Sequence, residues 1–175
     1  MAKTTFSGPV LVGNQKDTTN SFNLGTTVLQ QDVVFTPSAN IVTYTDADGG
    51  QWSYYNKVPA TAWAGTAAAV TASIYLPANA QIIGLYVDVL ATIVGPTALS
   101  VTAGVTANGT DYMNVTGLMT GPGTGRTIPT YTNAQCLAMM NITTNTTLYV
   151  QAVPTVAAVS AGSILVQVQY TLTPA

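Results

Sequence analysis

The sequence predicts an all-β chain, built as a sandwich or barrel of short antiparallel strands. Three observations predict it. Apolar residues alternate with polar ones at period two over most of the second half. Gly, Pro and Asn cluster between those runs, where turns belong. And the chain is almost without charge: of its 175 residues, four are Lys or Arg and six are Asp, with no Glu and no His.

Each run justifies a strand. From Ile82 to Val94 one face reads Ile83, Leu85, Val87, Val89, Ala91 and Ile93. That is long for one strand, so a bulge is expected, with Gly84 the obvious place. Leu99, Val101, Ala103, Val105 and Ala107 alternate with Ser100, Thr102, Gly104 and Thr106. Leu148, Val150 and Ala152 oppose Thr147, Tyr149 and Gln151, and Ile164 to Leu172 repeats the pattern. Such alternation marks half-buried antiparallel strands. Pro77 to Ala80 links Ala72–Leu76 to the long strand, and Gly95-Pro96 ends that strand. Asn108-Gly109 suits a tight hairpin. Thr132 to Asn141 carries the one helix signal, with Thr132 or Asn133 as its cap.

The first sixty residues differ. Met1 to Leu24 has little periodicity and reads as an extended arm. Val28–Phe35 and Ile41–Thr45 are expected to pair as strands, Gln51–Tyr55 to follow a turn, and Val58–Gly65 to link to the body. The expected organisation is an N-terminal arm or small β subdomain over 1–65 and a sandwich body over 66–175.

Composition excludes several functions. Hydrophobic content is 47%, normal for a globular chain, but charged residues make up only 6% against about 25% in ordinary domains. Lys3, Lys16, Lys57 and Arg126 are too few and too scattered to neutralise a run of phosphates, so no nucleic-acid partner is expected. The uncharged stretch Val58–Val87 is interrupted by Pro59, Pro77 and Gln81, so no membrane span is expected. Met1 to Ser7 carries Lys3 with no apolar run after it, so no secretory signal is expected. Cys136 is the single cysteine, expected to be buried and inert, because no His exists to activate it.

Motifs with chemical potential have bland explanations. Asp46-Ala47-Asp48-Gly49 opens like a calcium loop, but Lys57 stands where the bidentate Glu belongs, so a turn is expected. Asp88 is the best candidate for a perturbed carboxylate, since it sits in an apolar strand, yet no second Asp is spaced to join it. It is expected to face solvent or a subunit contact. Gly121 to Arg126 lacks the spacing of a dinucleotide fingerprint and the Lys of a phosphate loop. No catalytic residue, cofactor, metal or small-molecule substrate is expected. Trp52, Tyr54, Tyr55 and Trp63 form the densest aromatic cluster, either a local core or anchors for a protein contact. Arg126, the only Arg, is a candidate polar anchor.

The residues also carry a resemblance. Met1 to Val10 (MAKTTFSGPV) resembles the start of small virion structural proteins of marine and cyanobacterial tailed phages. Leu76 to Ile82 leads into the long Val/Ile strand; Val101 to Gly104 precedes Asn108 to Tyr112; Gly125-Arg126 follows; then come Leu148 to Val150, and Ala161-Gly162 before Val166 to Tyr170. This order resembles the jelly-roll head decoration, or cement, proteins of such phages, over roughly residues 72–173 and the first ten. The resemblance implies a jelly-roll-like antiparallel β-sandwich, a homotrimer seated on the major capsid protein, a place on the virion exterior after synthesis in the host cytoplasm, and no catalytic residues. The alternative is a head fibre or tail component recognising host-surface glycan. An enzyme would instead need turnover by a pair of Asp.

Overall fold

A computed structural model describes residues 28–36, 42–45, 51–55, 58–63, 65, 67–118, 125–140 and 142–172, with backbone alone for 42–45, 51–55, 58–60 and 125. The strands are β1 (Leu29–Thr36), β2 (Val42–Thr45), β3 (Gln51–Tyr55), β4 (Val58–Ala62), β5 (Val70–Leu76), β6 (Ala80–Val94), β7 (Ala98–Gly104), β8 (Met113–Val115), β9 (Gly125–Thr127), β10 (Thr146–Thr155) and β11 (Ala161–Leu172). One helix, α1 (Asn133–Met140), lies between β9 and β10. Two packed sheets form a β-sandwich. One layer runs β4-β1-β11-β6-β9 and is continued beyond β4 by the hairpin β2–β3; the other runs β5-β10-β7-β8.

Alternation explains the layers. In β5, Val70, Ala72, Ile74 and Leu76 point inward while Thr71, Ser73 and Tyr75 are exposed. Leu99, Val101 and Ala103 of β7 and Leu148, Val150 and Ala152 of β10 turn the same way. They meet Phe35, Leu85, Val87, Ile164 and Val166 from the other sheet in one contiguous core. Burying such side chains contributes roughly 1.5–3 kcal/mol each.

The long strand departs from simple alternation. Gln169 pairs with Gly84 and Tyr170 with Ile82, so Ile83 is the extra residue of a bulge. Below it Ala80 and Ile82 face the core; above it Leu85, Val87 and Val89 do. Ile83, which simple alternation puts on one face with Leu85, Val87 and Val89, therefore parts from them and is 47% exposed. Two more register shifts near Ser163 leave Leu90 to Thr92 outside and cancel each other, so Ile93 returns to the core in the phase of Leu85, Val87 and Val89. Val105 is exposed as well, because β7 ends at Gly104, where the chain folds back. The Asn108-Gly109 turn is not a two-residue hairpin: Asn108 takes φ 66° within a longer connection from β7 to β8.

The N-terminal strands pair otherwise than expected. β1 does not pair with β2. It runs antiparallel to β11 from Leu29 to Phe35 and parallel to β4 over Val34 to Thr36. β2 pairs with β3 instead. Val58–Ala62, expected as a link, is a strand. Val33 and Phe35 of β1 belong to the sandwich core, because β11 supplies the hydrogen-bonding edge they need. Met1 to Leu24, the expected arm, lies outside the described residues. Among the described residues no helix is long and apolar enough to cross a membrane.

Candidate functional site

Sheet register builds a polar cluster on the outer face of β1, β11, β6 and β9. Asp88 of β6 and Arg126 of β9 are directly opposite, so their side chains rise from the same face. Arg126 donates from Nε to Asp88 Oδ1 at 2.9 Å and from Nη2 to Oδ2 at 2.8 Å, a bidentate pair. Nη2 also donates to Gln167 Oε1 of β11. The guanidinium lies 5.0 Å above the Tyr86 ring, within cation–π range. Tyr86 in turn lies across Gly84: a Cβ there would come within 2.5 Å of its hydroxyl. Glycine at the bulge thus lets the ring lie flat. Along the face, Gln169 donates to Gln30 at 3.2 Å, and Gln30 donates to both oxygens of Asp32 at 2.9 Å.

The hydrogen bonding that Arg126 donates to Asp88 does most to hold the Arg126 pKa above its ordinary value; desolvation partly offsets it, and the nearby charges of Asp88, Tyr86 and Asp32 add to it. The Arg126 side chain is 48% exposed and that of Asp88 16%. Arg126 is therefore fixed in orientation but still open to solvent. Its Nη1 carries no hydrogen bond among the described residues, so it can donate outward to a partner.

Trp63 does not serve as an exposed anchor in this chain. It is 8% exposed, stacks on Phe35 with centroids 5.7 Å apart, and donates its indole N–H to the Gly162 carbonyl at 2.9 Å. The cause is β4: its parallel pairing with β1 delivers the next residue onto Phe35. Trp52, Tyr54 and Tyr55 sit in β3 at the far side of the same sheet, where only their backbone is described. The structure therefore does not bring the four aromatics and Arg126 into one described cluster. The Asp46–Gly49 turn lies outside the described residues.

The helix forms as expected, and its cap is Thr132. Thr132 Oγ1 accepts the Gln135 N–H at 3.2 Å, while Gln135 Oε1 accepts the Thr132 N–H at 2.9 Å, a reciprocal capping box. Thr132 and Gln135 stand at the T-x-x-Q spacing of that motif. Met139 faces inward, and Leu137 and Met140 are 69% and 59% exposed. Cys136 is exposed rather than buried, because the helix turns Gln135, Ala138 and Met139 towards the body instead. Just before α1, the Tyr131 hydroxyl accepts the Leu85 N–H at 3.1 Å and donates to the Leu85 carbonyl at 2.8 Å. It closes a stretch of the β6 edge that β9 is too short to reach. Nothing in the sequence pattern pointed to that role.

The described carboxylates are all engaged: Asp88 by Arg126, Asp32 by Gln30, and Asp111 by the Val105 N–H at 3.0 Å. Among the described residues no group of three or more His, Cys, Asp or Glu could hold a metal ion. Compared with family models, curated proteins and solved structures, the chain finds no match in any of the three.

Proposed function

We propose that this chain is a capsid decoration protein: it binds the outside of a tailed-phage head as a homotrimer, contacts the major capsid protein and stabilises the assembled lattice. The observation that carries the reading is the surface. Large apolar side chains stand exposed at Tyr75, Ile83, Ile128, Leu137, Met140 and Val156, and the described residues show a single ion pair. Such a surface is suited to being covered by protein, because few charges must be desolvated and unpaired buried charge is costly.

The fold we propose is a jelly roll. Without the inserted β2, β3 and β4, the remaining strands order as β1-β11-β6-β9 against β5-β10-β7-β8, with every neighbouring pair antiparallel. Two Greek keys wound between two sheets produce this order, and capsid proteins and lectins use it. The mechanism is linkage. A protein that binds the closed lattice and not its dissociated parts shifts the balance towards the lattice. A trimer making several contacts gains further by multivalency. Arg126, oriented by Asp88 and Tyr86, is the polar anchor in this reading.

Quantitative mass spectrometry and imaging of purified virions test it. Hundreds of copies on the head support decoration; a handful at the tail refute it. Arg126→Ala is expected to lower occupancy on the head with little change in the melting midpoint. Unchanged occupancy removes Arg126 from the contact.

A further inference from the structure

A cleft of about 530 Å³ opens between the segment Thr110–Asn114 and the first turns of α1. Its size falls within the range of small-ligand sites, roughly 300–1,000 Å³. Thr110, Asp111 and Asn114 line one wall; Thr130, Gln135 and Ala138 line the other. Gln135 Nε2 donates to the Thr110 carbonyl at 2.9 Å and ties the two walls together.

Some of the lining groups are spent. Thr132 and Gln135 satisfy each other in the capping box. Asp111 Oδ2 accepts the Val105 N–H, and the close approach of the Gly109 backbone to Gly104 packs that loop around it. The Asp111 side chain is thus held in place, and its Oδ1 has no partner among the described residues. Asn114 and Thr130 likewise make no side-chain hydrogen bond among the described residues, and both are exposed. The free groups are therefore one fixed carboxylate oxygen, a carboxamide and the hydroxyls of Thr110 and Thr130.

We propose that this cleft binds a neutral polyhydroxylated ligand, a sugar. The free groups include acceptors and donors side by side, which matches hydroxyls that both donate and accept. Ala134 and Ala138 supply an apolar wall against which the C–H face of a sugar ring can pack. Among the described residues no Lys or Arg lines the cleft, so there an anionic ligand would meet the Asp111 carboxylate without compensation. The one carboxylate among the described lining residues is too few charged oxygens for a hard cation. The proposal does not depend on capsid decoration, since the virion measurement and the one below can fail separately.

The test is an amide NMR titration of the full chain with methyl glycosides of glucose, galactose, mannose and N-acetylglucosamine, alongside glucuronate, sialic acid and choline. The expected result is saturable shifts from at least one neutral glycoside, confined to residues 110–114 and 130–138. Asn114→Ala and Thr130→Val, at exposed positions without partners, should each weaken that binding by roughly 3- to 10-fold, the loss of one hydrogen bond. Their melting midpoints should stay at the wild-type value. The proposal is overturned if no neutral glycoside gives saturable shifts. Shifts elsewhere overturn it too, as do equal or tighter binding of glucuronate, sialic acid or choline, or undiminished binding by both variants.

Discussion

Trp63→Ala separates a core residue from a contact residue. In the folded chain the indole is 8% exposed, stacked on Phe35, and bonded to the Gly162 carbonyl at 2.9 Å. Truncating a buried Trp to Ala costs about 3–5 kcal/mol. Part of that cost is the Gly162 carbonyl, left without its donor. For a chain of this size each kcal/mol moves the midpoint by roughly 2–4 °C, so a fall of roughly 6–20 °C is expected. Trp63→Phe keeps an aromatic ring on Phe35 and loses the N–H, so it should cost less, about 1–3 kcal/mol. Thermal unfolding followed by circular dichroism gives the midpoints; light scattering on the same samples gives the oligomeric state. A Trp63→Ala midpoint within about 2 °C of wild type, together with loss of the oligomer, would refute the core assignment and return Trp63 to a subunit contact.

Other perturbations follow from the same geometry. Tyr131→Phe removes both bonds to Leu85 and bares part of the β6 edge; it should cost about 1–3 kcal/mol and raise aggregation measured by light scattering. Burial raises the pKa values of Tyr112 and Tyr131, with the Asp111 charge adding to the first and a backbone bond to Leu85 partly offsetting the second. An acid with a raised folded pKa contributes fully below its unfolded value, about 10 for Tyr, and loses that contribution as pH climbs through the folded value. Stability should therefore fall above about pH 10, by up to about 1.4 kcal/mol per unit for each tyrosine, and Tyr112→Phe should flatten that limb in denaturant titrations. Gly95→Ala forces a side chain at φ +118° into the Ala158 carbonyl and should cost about 2–5 kcal/mol in the same unfolding experiment. Gly117→Ala, at φ +74° but with open space around it, should cost only about 1–2 kcal/mol.

Much of the sandwich was legible where period two alone decides orientation. Val70 to Leu76 and Leu148 to Ala152 face as their alternation says, because a strand offers only two sides. The long strand was harder. Gly84 marked the bulge, but the inserted residue is Ile83, and only pairing with Gln169 and Tyr170 places it. Met113–Val115 and Gly125–Thr127 are too short for any pattern; their partners hold them as strands. The partner of β1 lies more than a hundred residues away, so local turn signals pointed to β2 instead. The same distance hid the candidate site. Arg126 stood out by its rarity, and Asp88 by its apolar neighbours, but only register puts one beside the other. Trp63 belongs to the densest aromatic cluster of the sequence, but its side of the sheet is set by β4, whose residues read as a linker.

One consequence concerns the chain between β1 and β5. Thr36 and Ala62 are paired neighbours, and the Trp63 N–H reaches the Thr36 carbonyl at 3.0 Å. The excursion therefore leaves and rejoins the scaffold at a single staple. A segment anchored this way can be lengthened, exchanged or replaced by foreign sequence without altering the distance its flanks must span. That makes residues 37–59, between the paired ends of β1 and β4, the natural cargo bay for grafting a peptide onto this protein.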